Sequence, residues 1–308
     1  MAVVHASDMN TPLDFAHPAK SRTLWADAWL RLRRNKLALA GAVVLLIMML
    51  IAIFANFIAP YSYDEPVYSV VNGVRHTIRN QGPSAAHWFG TDRLSRDEFS
   101  RVVYGARVSL SVGLVSQLII LLVGIPVGLL AGYYGGRVDM ILMRLTDIMY
   151  AFPTVLFAIV ILAAIGQNLV NIYIAIGFTF WPSMARLVRS QVLSLREKEY
   201  VEAARAIGVP PWRIMFTQIL PNALGPVIVA VTFGIPFAIL IEAFLSFIGI
   251  GTPAPIPSWG GMIAESKPQL RSEPYLVLFP SLALAITLFA FNFFGDGLRD
   301  ALDPRSRK

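Results

Sequence analysis

Long charge-free runs alternate along the chain with short charged segments. A spanning helix needs about 20 mostly apolar residues. Leu37 to Pro60, Val108 to Gly136, Ile214 to Ile241 and Pro274 to Gly295 each suit one such helix. The run from Ile148 to Ala185 is too long for one, and Gly166-Gln167-Asn168 interrupts it near the middle. It therefore predicts two spans, the first starting upstream near Asp139. Ahead of the first run, Trp25, Trp29 and Leu32 recur at helical spacing opposite Arg31, Arg33 and Arg34. That pattern suits a helix lying in the headgroup layer, with an ordinary cytoplasmic helix as the plainer reading.

The expected fold is an all-α integral membrane protein with six transmembrane helices and an N-terminal interfacial helix. Its expected parts are a cytoplasmic segment over 1–36, a first span over 37–60, an extracytoplasmic segment over 61–107, spans two to six over 108–298, and a cytoplasmic tail over 299–308. Composition agrees: the 308 residues are 56% hydrophobic and only 15% charged, outside the soluble range. The net charge of +7 reads as topology rather than nucleic-acid binding. Six Lys and Arg precede residue 37, six lie between Arg186 and Arg213, and four follow from Arg299. Positive-inside logic puts these segments, and both termini, in the cytoplasm of a multi-pass protein. The six arginines between Tyr61 and Arg107 oppose that assignment, but five acids accompany them in a long segment.

With no cysteine and four scattered histidines, no disulfide, thiolate site or metal cluster is expected. Inside the spans, Gly124, Gly128, Gly132 and Gly136 stand four apart, a spacing that lets two helix backbones approach closely. Pro126 among them predicts a kink. Glu242 is the clearest ionisable residue within a span, a candidate for lining a pathway or bonding to a neighbouring helix. Arg144 and Asp147 are spaced to pair on one helix face. Asp296, Arg299 and Asp300 are candidates for an ion-pair cluster near the cytoplasmic insert. Trp259, in "GTPAPIPSWGGMI", is either part of an outer gate or an interfacial anchor.

Between the fourth and fifth runs lies "EYVEAARAIGVPPWRIMFTQILPN". Glu199, Glu202, Arg205 and Ala206 share a helical face, and Gly208 can close that helix in a left-handed conformation. Pro211 suits the first turn of a second short helix. The small Ala203 and Ala204 permit close docking by a partner, whereas a solvated hairpin with Glu202 paired to Arg205 is the bland alternative. The segment "EAARAIG" followed by "ILP" resembles the cytoplasmic EAA loop of ATP-binding-cassette (ABC) importer permeases. Glu202, Ala203, Ala204, Gly208, Leu220 and Pro221 match, with Gln218 where the pattern has isoleucine. "FGTDRLSRDEFSRVVYGARVSL", "EAFLSFIGIGTPAPIPSWG" and "FNFFGDGLRDALDPR" extend the likeness to the C-type permease subunit of oligopeptide and dipeptide importers.

The resemblance implies a type I ABC importer (MetI-like) permease fold in a bacterial inner membrane, with an EAA coupling loop over 187–221 contacting an ATPase through Glu202 and Gly208. It also implies a homologous B-type permease, two ABC ATPases, an extracytoplasmic peptide-binding protein and a peptide substrate. ATP and magnesium would belong to the ATPases, since no GxxxxGK[ST] loop is present. HExxH and GxSxG are absent too, so no catalytic residue is assigned. A permease for nickel or another small solute, a self-sufficient secondary transporter, and a non-transporting scaffold are the rival readings.

Overall fold

The computed structural model describes residues 24–71 and 74–303 of the chain, with side chains from residue 28 onward apart from those at 70 and 71. Residues 1–23 and 304–308, and the Trp25 side chain, fall outside that description. Helix α1 (Leu24–Arg34) is followed at once by α2 (Lys36–Ile53). Asn35 makes the junction: its extended backbone ends one helix while its Oδ1 accepts from the Leu37 and Ala38 amides, both at 3.1 Å. A short α3 (Ala55–Ile58) closes the first run.

The outer segment holds an antiparallel hairpin, β1 (Tyr68–Val71) and β2 (Val74–Thr77), with Tyr68 opposite Thr77. This hairpin in the outer segment is a small β addition to an otherwise helical fold. Next comes α4 (Glu98–Tyr134), 37 residues long. It begins well before the charge-free run does. Asp97 caps it, accepting from the Ser100 amide at 2.8 Å and hydroxyl at 2.7 Å.

Helices α5 (Gly136–Ala151) and α6 (Thr154–Ile165) meet at 86°. Pro153 stands at the corner and cannot donate a backbone hydrogen bond. The segment expected as the third span is therefore two helices meeting at a sharp bend. Helix α7 (Leu169–Leu195) follows, capped by Asn168, whose side chain accepts from the Asn171 amide. Then come α8 (Glu199–Ala206), α9 (Pro211–Ile214), a π turn over Met215–Ile219, α10 (Leu220–Phe247), α11 (Trp259–Ser266) and α12 (Tyr275–Leu302).

Four helical stretches among the described residues are long and apolar enough to cross a membrane: Lys36–Ile53, Glu98–Tyr134, Pro211–Phe247 and Tyr275–Leu302. The bent α5–α6 pair makes a fifth. The sixth predicted segment is α7, which is 27 residues long but carries Asn171, Pro182, Ser183, Arg186 and Arg189. Those polar residues lower its apolarity, while Ile172, Ala175, Ile176, Ala185, Val188 and Val192 are fully buried against its neighbours.

Helix α7 packs along α4, the most extensive helix contact among the described residues. Side chains absent from one helix make room for those of the other. A Cβ at Gly124 would lie 2.7 Å from Met184 Cβ, one at Gly128 2.6 Å from the Ala185 carbonyl oxygen, and one at Gly132 2.6 Å from Val192 Cβ. Gly136 does not belong to this row. Its surroundings are open, and with φ +51° it starts the turn into α5. Helix α12 packs on α2 and α1, with α10 and α11 on its other sides.

Candidate functional site

The insert folds as a hairpin whose tip is built by Gly208. With φ +79°, Gly208 donates to the Arg205 carbonyl and Val209 to the Ala204 carbonyl, both at 3.0 Å, which is the paired closure of a Schellman ending. Val201 and Ala204 turn inward and join Ile214, Met215 and Ile219 in a core shared with α4 and α7. Glu202, Ala203, Gly208 and Pro211 are exposed, as is Pro221, while Leu220 is half-buried. Ala203 therefore faces out of the fold and Ala204 into it, so of the two only Ala203 is available to a partner. Ile207 and Trp212 stand far out of the fold, 81% and 62% exposed, on either side of the tip.

Glu202 does not pair with Arg205. The Arg205 guanidinium sits 5.1 Å from the centroid of the Tyr133 ring, tying the hairpin to the end of α4. Glu202 is left exposed, with no ion pair among the described residues. Arg196 Nη1 donates to the Gly132 carbonyl at 2.9 Å, a second tie between the hairpin base and α4.

The second arm is not a separate short helix. From Pro211 to Phe247 the chain runs as one 37-residue helical stretch, so the hairpin arm and the membrane span are continuous. The π turn lies just before Pro221, whose ring would crowd the carbonyl four residues back and which offers no amide to the ladder. Gln218, the departure from the EAA pattern, lies in that turn.

The ladder that fixes α5 to α7 escaped the sequence reading. Arg189 Nε and Nη2 donate to the two Asp139 carboxylate oxygens, each at 2.5 Å. Asp147 pairs with Arg186 at 2.6 Å rather than with Arg144, and the Tyr150 and Ser183 hydroxyls meet at 2.6 Å. The single arginines and aspartates in otherwise apolar stretches were the available signal.

Glu242 is fully buried. Its Oε1 accepts from Ser246 Oγ at 2.7 Å on its own helix and from Thr252 Oγ1 at 3.2 Å in the following loop. In this structure it ties the following loop back to α10. Trp259 is likewise fully buried, so it is no interfacial anchor. Its amide donates to Ser109 Oγ at 3.1 Å and its indole to the Val102 carbonyl at 3.0 Å, with Gly105 beneath the ring.

Nearby, a buried ionic cluster joins the outer segment to α11. Arg96 donates to Asp92 at 2.7 Å, and Arg96 and Arg101 both donate to Glu265, at 3.0 and 2.8 Å. The end of α12 bearing Asp296, Arg299 and Asp300 packs against α1 and α2.

Long apolar helices, one of them continuous with an exposed hairpin, describe a membrane-spanning protein, and its relatives are permease subunits of transport systems. Residues 124–308 match the family described as binding-protein-dependent transport system inner membrane component, and residues 23–83 match the N-terminal TM domain of oligopeptide transport permease C. The chain belongs to the family of binding-protein-dependent transport system inner membrane components and is a multi-pass inner-membrane protein. It is 45% identical to the dipeptide transport system permease protein DppC of Alkalihalophilus pseudofirmus, covering 100% of both chains. The oligopeptide transport system permease protein OppC of Bacillus subtilis is 44% identical, over 94% of this chain and 92% of that one. The glutathione transport system permease protein GsiD of Pectobacterium atrosepticum is 40% identical, over 92% of each. In fold, a chain of the MetNI methionine ABC transporter in an inward-facing conformation matches with a TM-score of 0.53 at 20% identity, covering 66% of this chain and 96% of that one.

Proposed function

We propose that the chain is one of two homologous permease subunits of an ATP-driven importer for dipeptides or oligopeptides, with its termini and hairpin in the cytoplasm. The observation that carries this reading is the exposed 199–221 hairpin, continuous with a spanning helix, in a chain whose relatives include dipeptide and oligopeptide permeases. Two partner ATPases bind ATP and magnesium, and an extracytoplasmic binding protein delivers the peptide to the outer segment.

In this mechanism Glu202, Ala203 and Gly208 seat the hairpin tip in an ATPase, with Pro211, Leu220 and Pro221 setting the course of the second arm. Ala204 serves from inside, filling the core beneath the tip. Closure of the ATPases on ATP moves the tips, and α10 carries the displacement to the pathway, so the permease is a two-state element biased by a ligand bound elsewhere. Peptide amides cannot cross hydrocarbon unsatisfied, which calls for a wet route bounded by two such chains.

The test is peptide uptake by cells carrying the intact transporter, with the membrane content of this chain and co-purifying ATPase activity measured alongside. Glu202→Ala is expected to leave insertion unchanged and to cut uptake at least tenfold, equivalent to about 1.4 kcal/mol of lost coupling. Wild-type uptake in Glu202→Ala would remove the docking role. A chain that purifies without ATPase and still transports would remove the whole reading.

A further inference from the structure

Halfway along α4, the Gln117 carboxamide lies in a cleft between α4, α7 and α10. The cleft has a volume of about 170 Å³ and is otherwise mainly apolar, with Ile176, Phe180, Met184 and Phe237 on its walls. That is room for roughly six water molecules. Phe180 and Phe237 meet edge to face, with centroids 5.2 Å apart, and hold two walls in place.

Gln117 is only 3% exposed, and its Oε1 has no hydrogen-bond partner. An orphaned buried acceptor costs about 1–3 kcal/mol. Gly234 on α10 lies against it: a Cβ there would meet Gln117 Oε1, so the carboxamide end would have to turn away. Leucine or methionine would fill the same space without the penalty.

We infer that Gln117 is a substrate-contacting residue, whose carboxamide pairs with one backbone amide of the peptide passing through this cleft. A carboxamide offers one acceptor and a donor pair, the complement of a peptide group. The Phe180–Phe237 pair supplies a sequence-tolerant surface for side chains, and Ser183 on the rim adds a hydroxyl. Such a contact is indifferent to which side chains the peptide carries. This inference rests on the peptide-importer reading above.

The experiment compares uptake of trialanine and of trialanine N-methylated at its central amide, in cells with the intact transporter carrying wild-type chain, Gln117→Leu or Gly234→Ala. Recognition by the binding protein is common to all three and cancels when the ratio of the two peptides is compared between variants. Wild type is expected to favour trialanine about three- to tenfold more strongly than Gln117→Leu does, the worth of one net hydrogen bond. Gly234→Ala should shift the ratio the same way by displacing the carboxamide.

Equal ratios in wild type and Gln117→Leu, with uptake intact, overturn the inference and leave the importer reading standing. Loss of the second permease from purified Gln117→Leu complexes also overturns it, because the carboxamide would then be a contact between subunits. Absence of peptide uptake in wild type removes the importer reading, and the inference with it.

Discussion

A methyl group at Gly128 would sit 2.6 Å from the Ala185 carbonyl oxygen and 2.7 Å from Val188 Cβ. Neither atom is the free end of a flexible chain, so the two helices themselves must part. Gly128→Ala is expected to destabilise the purified permease by about 1–3 kcal/mol, read as unfolding in a detergent titration. Gly225→Ala is the matched control, since a Cβ there meets nothing within 4 Å and helix propensity favours it by about 1 kcal/mol. Gly208 behaves differently again. Its surroundings are open but its φ is +79°, so alanine there strains only the tip, by about 1–2 kcal/mol. Uptake should suffer more than insertion does, which parallel uptake and membrane-content assays would separate.

Among elements, α11 and α5 are held by charge. Arg96 and Arg101 are 4% and 2% exposed, and removing Glu265 takes a partner from both. Glu265→Ala is expected to cost toward the low end of ~3–5 kcal/mol, because Asp92 stays in place and Glu265 is itself partly exposed. The expected readout is faster proteolysis of the outer segment. For α5, a double-mutant cycle on Asp139 and Arg189 should give a coupling of about 1 kcal/mol, since the pair is bidentate but partly exposed.

The elements were unequally legible. Charge-free runs reported four spans because hydrocarbon admits little else, and "GVPP" reported the hairpin tip because only glycine takes that φ cheaply. Pro153 stood in the sequence at the α5–α6 corner, but a proline alone does not give a bend of 86°. Asn72-Gly73 between β-prone residues was an available hairpin signal. The inward turn of Ala204 and the burial of Trp259 could not be read, because both depend on which helices pack beside them. Gln117 was visible as a polar residue in an apolar run, yet its cleft needs three helices to exist.

At the scale of the whole molecule, much of the apolar surface faces outward. Leu122, Ile141, Val160 and Phe289 are each more than 60% exposed and lie on four different helices. Hydrocarbon is the surrounding this surface fits.

The continuous helical stretch from Pro211 to Phe247 ties the azimuth of the hairpin to that of the cleft wall by residue count, beside the contacts that Arg205 and Arg196 make with α4. One residue added to an α-helix rotates everything beyond it by about 100° and advances it by about 1.5 Å. A single alanine inserted after Asn222 would keep the residues of the tip and of the cleft, yet point the tip in a new compass direction relative to Gly234 and pull Arg205 away from Tyr133. Transport is expected to fail in that variant, and a further two or three inserted residues, completing about one turn, should restore part of it. The chain would then be read as a geared shaft whose working setting is a number of residues, and periodic recovery of uptake along such an insertion series would measure its pitch.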